Sequence, residues 1–117
     1  MIKKVLSSFT FAFRGLKTAW REEYNFRIEV LATLSVIFSI FYFRFSFVES
    51  AFCILAMTII LSAEIMNTVV EDVCNKVEPH HDPMIGKIKD TASAFVLVSG
   101  LGAFALVCLV FWNHFFK

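Results

Sequence analysis

Three long apolar runs constrain this chain more than any other feature. They cover residues 28–46, 48–70 and 91–116, and each has close to the roughly 20 residues that a helix needs to cross a bilayer. Backbone polar groups at that depth must be satisfied within the segment, which helices do. A soluble chain of 117 residues hides only about two-thirds of its surface, too little for an apolar fraction of 58%. The sequence therefore predicts one all-α membrane domain over 1–117 with three transmembrane helices.

The segment before these runs is amphipathic. Between residues 3 and 21, polar and basic side chains form one stripe along the predicted helix. Apolar side chains form a second stripe and recur at steps of three and four residues: Leu6, Phe9, Phe13, Leu16 and Trp20. A 3.6-residue period with a basic face is typical of a helix that lies in the membrane interface. We therefore expect an amphipathic surface helix over 3–21.

Basic residues are distributed unevenly around the three runs. Nine lysines and arginines lie before residue 28 or within the polar segment 71–90, whereas only Arg44 and Lys117 lie elsewhere. Positively charged segments of membrane proteins stay preferentially in the cytoplasm. The pattern predicts a multi-pass protein whose N-terminus and 71–90 loop are cytoplasmic and whose C-terminus is outside.

The second apolar run contains an ionisable residue, Glu64. Together with Asn67 and Glu71 it follows a spacing of three and four residues, which places the three side chains within about 60° of one helix face. A polar group in a spanning helix can simply form a hydrogen bond to a neighbouring helix. A charge inside the membrane is costly, however, and is a functional candidate by default. We interpret the three residues together as a functional face.

Two further polar sets fall on the same side of the membrane. Lys89 and Ser93 share a face at the start of the third run, where the lysine could neutralise a phosphate. Carboxylates at Glu23 and Glu71 could together hold Mg²⁺, which favours one or two carboxylates plus nucleotide phosphates. The chain has no P-loop and no kinase glycine loop, so any nucleotide chemistry requires a different kind of site.

These motifs resemble the small bacterial integral-membrane lipid kinases, the diacylglycerol kinases and their undecaprenol kinase relatives. The most specific segment is residues 64–71, Glu-Ile-Met-Asn-Thr-Val-Val-Glu, which fits the family pattern Glu-x-x-Asn-(Ser/Thr)-x-x-Glu. Residues 13–20, 23–27 and 89–94 are similar to the surface helix, the hinge and the Lys-Asp-x-x-Ser-Ala segment of the family, in the same order. The resemblance extends over nearly the whole chain.

The resemblance implies an ATP- and Mg²⁺-dependent kinase that phosphorylates a lipid alcohol at the cytoplasmic face of the bacterial inner membrane. It implies a homotrimer with sites between subunits, and as partners ATP, the lipid and the bilayer but no nucleic acid. Glu64 would be the general base, with Asn67 orienting it. The implied Mg²⁺ ligands are Glu23 and Glu71, the further ATP-binding residues are Lys89, Asp90, Arg14 and Lys17, and the residues on the lipid side are Ser93 and Glu29.

The sequence departs from the usual family pattern at three positions: Phe11, Asn75 and Asp82. Asn75 stands where members usually carry an acid. The lipid is indicated only weakly, because Asn25 is similar to the undecaprenol kinases whereas Glu29 and Trp20 are similar to the diacylglycerol kinases. The balance favours the polyprenol by a narrow margin.

The alternative is a small non-enzymatic membrane protein. A proton-coupled exporter would need Glu64 as its translocation carboxylate, but it gives no reason for Glu71, Glu23 and Lys89 to lie on one side of the membrane. A holin-like pore gives no role to Glu64. The kinase interpretation accounts for the whole set.

Overall fold

The chain folds entirely into helices. The computed structural model describes all 117 residues, and its helices are α1 (Ile2–Glu22), α2 (Tyr24–Tyr42), α3 (Phe47–Val77) and α4 (Pro83–Phe116). The last three are long and apolar enough to cross a membrane, which confirms the predicted all-α class and the three spanning helices. Two short connections, 43–46 and 78–82, lie at opposite ends of α3. They define the 43–46 end and the 78–82 end of the bundle.

The first spanning helix is shifted toward the N-terminus relative to the predicted 28–46. It begins at Tyr24 and ends at Tyr42. Arg44 takes a left-handed conformation with φ of 55°, and the Phe45 N–H donates to the Ile40 carbonyl at 3.0 Å. This is the hydrogen bond of a Schellman motif, which terminates a helix whatever the hydropathy of the next residues.

The polar segment 71–90, predicted as a loop, is mostly helical. Helix α3 continues to Val77 and α4 begins at Pro83, so only residues 78–82 connect them. The Asp82 carboxylate accepts hydrogen bonds from the backbone N–H groups of Met84 and Ile85, and a proline follows at the first helical position, where its missing N–H costs nothing. The helices that contain the predicted spans 48–70 and 91–116 are therefore longer than those spans.

Helices α3 and α4 are both longer than the hydrocarbon core of a bilayer is thick. With 31 residues in α3 and 34 in α4, and a rise of 1.5 Å per residue, they measure about 46 and 51 Å. The hydrocarbon core of a bilayer is only about 30 Å thick. The polar turns of both helices therefore extend beyond it, and polarity marks where the chain leaves the lipid rather than where the helix stops.

Small side chains dominate the buried positions of α3. Cys53, Ala56 and Ala63 are all fully or almost fully buried. On α4, a Cβ atom added at Gly100 would lie only 3.1 Å from Ile60 Cδ1. Small residues allow helix backbones to approach closely in a membrane, where van der Waals packing replaces the hydrophobic effect. The α3–α4 pair forms the most extensive helix–helix contact of the fold.

Very little of the chain is buried within a single protomer. Only 12 of 117 residues are buried, and most large apolar side chains of the spanning helices are exposed. Exposure of so large an apolar surface to water is unfavourable, so lipid or further protein must cover it.

A polar network that the sequence did not reveal joins α3 and α4 at the 43–46 end. Glu49, which is 4% exposed, accepts from the Ser46 N–H at 2.9 Å and donates its own N–H to Ser46 Oγ, completing a capping box. The Asn113 Nδ2 group donates to Glu49 Oε1 at 3.0 Å, and His114 Nδ1 lies 3.0 Å from Oε2. The buried carboxylate thus has partners on both helices.

We predict that Glu49→Ala destabilises the protein strongly. Removal of the carboxylate leaves Asn113, His114 and the Ser46 N–H without their partner, which typically costs about 2–4 kcal/mol. The measurement is thermal unfolding of the purified protein in detergent. Glu78→Ala is the matched control, because Glu78 contacts only the exposed His80 nearby. Equal melting temperatures for the two variants would contradict a stabilising role for the network.

Candidate active site

Helix α3 presents the predicted polar face without interruption. Glu64, Asn67 and Glu71 all lie within the single helix Phe47–Val77, so their spacing keeps them on one side. Glu64 is only 2% exposed, whereas Asn67 and Glu71 are half-buried. The face therefore leads from a buried carboxylate toward the polar 78–82 end.

A second carboxylate reaches this face from the junction of α1 and α2. Glu23 caps both helices in an extended conformation, with φ of −110° and ψ of 107°, which separates α1 from α2. Burial raises the pKa of Glu23 above its usual range, and the charges of Glu71, Asp72 and Glu22 raise that pKa further. Glu23 and Glu71 are thus brought close enough to repel one another, as expected of two ligands for one cation.

Two acceptor atoms near Glu64 are buried without a hydrogen-bond partner. They are Glu29 Oε2, on α2, and Asn67 Oδ1, on α3. The Glu29 carboxylate lies close enough to Glu64 for the two charges to interact. Unpartnered buried acceptors are rare, because each loses its hydrogen bonds to water without replacement. Neither atom has a hydrogen-bond partner within the protomer.

The predicted cationic and α4 residues do not join the acidic face within one chain. Lys89 Nζ donates to Asn75 Oδ1 instead, while Asp90 and Ser93 are exposed on α4 and Lys17 is exposed on α1. None of the ion pairs of the chain links these residues to Glu23, Glu64 or Glu71. The structure thus groups the acids, and no cation forms an ion pair with them within the chain.

Arg14 lies in a cavity between α1 and α3. The cavity has a volume of about 680 Å³, and Thr68 and Asp72 of α3 line it together with apolar side chains. The Arg14 guanidinium carbon lies 5.5 Å from the centre of the Phe11 ring, a cation–π distance. The groove is therefore mostly apolar, with one cation and one carboxylate at its wall.

The sequence alone did not identify two residues of this region as part of the site. Asp72 is not among the predicted site residues, yet its charge acts on Glu23. Asn75 was noted only as a departure from the family pattern, yet it binds Lys89. The spacing of Asn75, four residues after Glu71, was the available signal, because such residues are neighbours on a helix.

The residues present fit a magnesium ion that is shared with a nucleotide. The protomer has no group of three or more potential His, Cys, Asp or Glu metal ligands, but Mg²⁺ usually takes one or two carboxylates and completes its shell with phosphate oxygens and water. Glu23 and Glu71 supply two hard oxygen donors whose mutual repulsion a cation would relieve.

Comparison with known proteins links this geometry to a chemistry. Residues 10–111 match the family model described as prokaryotic diacylglycerol kinase. The chain is 25% identical to a diacylglycerol kinase of Escherichia coli (strain K12) over 96% of its length and 92% of the relative's. It is 26% identical to an undecaprenol kinase of Bacillus subtilis (94% and 89%) and 29% identical to a diacylglycerol kinase of Helicobacter pylori (95% and 80%).

We predict that Glu23→Gln stabilises the protein in a pH-dependent way. Because the pKa of Glu23 is raised in the folded state, its contribution to stability is present at low pH and is lost as the pH rises through that pKa. The variant should therefore melt above the wild type at about pH 7.5 and together with it near pH 4. Thermal unfolding in detergent with a chelator measures this. A difference independent of pH would show that the charge of Glu23, disfavoured by burial and by its acidic neighbours, is not its cause.

Proposed function

The chain belongs to the prokaryotic diacylglycerol kinase family, and we propose that it phosphorylates a membrane lipid alcohol, undecaprenol or diacylglycerol, with ATP and Mg²⁺. The family match covers 10–111, and the relatives include kinases named for both lipids. The observation that carries the proposal is the buried carboxylate of Glu64 on the same helix face as Asn67 and Glu71. No observation favours an exporter or a pore.

The depth of Glu64 supports this assignment. If Phe47, the first residue of α3, marks one boundary of the hydrocarbon core, Glu64 lies about 26 Å further along the helix axis. It then falls just inside the opposite boundary of a core about 30 Å thick, whereas Glu71 lies about 10 Å beyond Glu64, among the headgroups. A lipid hydroxyl and a water-soluble nucleotide would meet between these two residues.

In this proposal Glu64 is the general base. Its carboxylate takes the proton of the lipid hydroxyl while that oxygen attacks the γ-phosphorus of ATP, and the bond from this phosphorus to the bridging oxygen breaks to release ADP. The unpartnered Asn67 Oδ1 and Glu29 Oε2 accept hydrogen bonds that orient the lipid headgroup. A positioned base contributes typically 10²–10⁴-fold to such a reaction, and positioning with charge neutralisation supplies most of the rest.

Glu23 and Glu71 would hold Mg²⁺ with the nucleotide. When bound, this ion neutralises charge on the phosphate oxygens and aligns them for transfer. Relief of the repulsion that raises the pKa of Glu23 favours cation binding at this pair. The further nucleotide contacts are assigned to Lys89, Asp90, Arg14 and Lys17, and Ser93 is assigned to the lipid side.

A homotrimer with sites between subunits would bring the separated residues together. Within one chain the α4 residues Lys89 and Asp90 make no ion pair with the acidic face, and most apolar side chains are uncovered. We propose that neighbouring copies cover part of that surface. The basic stripe of α1 would lie on the cytoplasmic leaflet, since cations favour anionic headgroups.

We predict that the purified wild type transfers the γ-phosphate of Mg-ATP to lipid in mixed micelles. A side-by-side assay with undecaprenol and diacylglycerol, with phosphorylated lipid separated and quantified, identifies the preferred alcohol, and chelation of Mg²⁺ should stop the transfer to either. ATP-independent proton flux in proteoliposomes without any lipid phosphorylation would contradict the kinase and support the exporter.

We predict that Glu64→Gln and Glu71→Gln fail in different ways. Glu64→Gln should lower kcat by at least about 10²-fold with nearly unchanged Mg-ATP binding, because only the base is lost. Glu71→Gln should raise the apparent KM for Mg-ATP, because a proposed metal ligand is lost. Steady-state kinetics and nucleotide binding by calorimetry separate the two effects. Full activity of Glu64→Gln would exclude Glu64 as the general base.

A further inference from the structure

One side-chain hydrogen bond joins α3 and α4 at the 78–82 end. Lys89 Nζ donates to Asn75 Oδ1, across the short connection between the two helices. The other side-chain hydrogen bonds between α3 and α4 are those of Glu49, at the opposite end. Asn75 is thus the residue that restrains Lys89.

Asn75 extends the functional face of α3 by one turn. It lies eleven residues after Glu64, so its side chain projects within about 20° of the same direction at 100° per residue. Lys89 itself lines a polar cavity of about 220 Å³ with Glu78, His80 and other residues of the 78–82 connection. The hydrogen bond therefore holds the ammonium group between this cavity and the outer end of the acidic face.

The acceptor at position 75 is neutral. An amide oxygen fixes the ammonium group without cancelling its charge, and no carboxylate lies within ion-pair distance of Lys89. An ammonium group has three N–H donors, so two remain after the bond to Asn75. A free lysine carries a compact charge on a flexible four-carbon stem, and tethering that charge reduces the entropy lost when a phosphate binds to it.

We propose that Asn75 is a positioning residue that holds Lys89 for the phosphates of the nucleotide. This inference rests on the proposed function. Asn75 would act only through Lys89, so its loss should weaken nucleotide binding and leave the chemical step and the lipid site largely intact.

The test is a double-mutant cycle in purified full-length protein with Mg-ATP and lipid in mixed micelles. Asn75→Ala should raise the KM for Mg-ATP roughly threefold to tenfold, as for loss of a typical hydrogen bond. Both kcat and the KM for lipid should change less than about twofold, because neither depends on Lys89 in this scheme. In a Lys89→Met background, the additional Asn75→Ala change should have no further effect.

Three further variants keep the test decisive. Asn75→Leu removes the acceptor with little change in volume and should reproduce the loss if Asn75→Ala does not fold. Asn75→Gln retains an amide acceptor and should keep the KM near that of the wild type. Lys76→Ala, at the exposed neighbouring position, is the control for an unspecific charge effect and should leave the KM unchanged.

An unchanged KM in Asn75→Ala and Asn75→Leu, or an equal effect of Asn75→Ala with and without Lys89, would overturn the positioning role. Those outcomes require an active wild type. A wild type that transfers no phosphate would instead refute the proposed function, and the two failures are therefore distinguishable.

Discussion

A carboxylate buried in a helix long and apolar enough to cross a membrane is the constraint on which the rest of this structure depends. Glu64 cannot be hydrated freely there, and a charge in a membrane-spanning helix is costly. Its position is tolerable only on a helix that continues past the bilayer and brings other polar groups with it. Helix α3 meets this requirement because it runs unbroken from Phe47 to Val77, so that one face carries Glu64, Asn67, Glu71 and Asn75 outward from the lipid.

The two ends of the α3–α4 pair differ in the hydrogen bonding of their buried polar groups. At the 43–46 end, Glu49 is surrounded by donors from Ser46, Asn113 and His114, and a carboxylate so fully partnered stabilises a packed structure. At the 78–82 end, Glu29 and Asn67 keep acceptors without partners. Buried acceptors without a partner call for an explanation, of which a catalytic role is one, and for this reason we propose the chemistry at this end and a structural role at the other.

The sequence predicted the class of the fold better than the ends of its helices. Hydropathy predicted three helices long and apolar enough to cross a membrane, which the structure contains, and spacing predicted that Glu64, Asn67 and Glu71 share one face of α3. It did not predict the ends of the helices, because those depend on local hydrogen bonds: the left-handed turn at Arg44 and the cap at Asp82. The contacts of Glu49 with Asn113 and His114 were also missed, because these two partners lie more than sixty residues away in the chain and no local pattern reports such a contact.

If Glu64 acts as a base, the lipid oxygen attacks phosphorus directly and no phosphorylated enzyme forms. The stereochemical course at phosphorus is the most direct measurement of this claim. With ATP that carries a chiral, isotopically labelled γ-thiophosphate, a single in-line displacement inverts the configuration in the lipid product. The expected result is inversion of configuration at phosphorus. Retention would require two successive transfers through a covalent enzyme intermediate and would contradict the role of Glu64 as a general base.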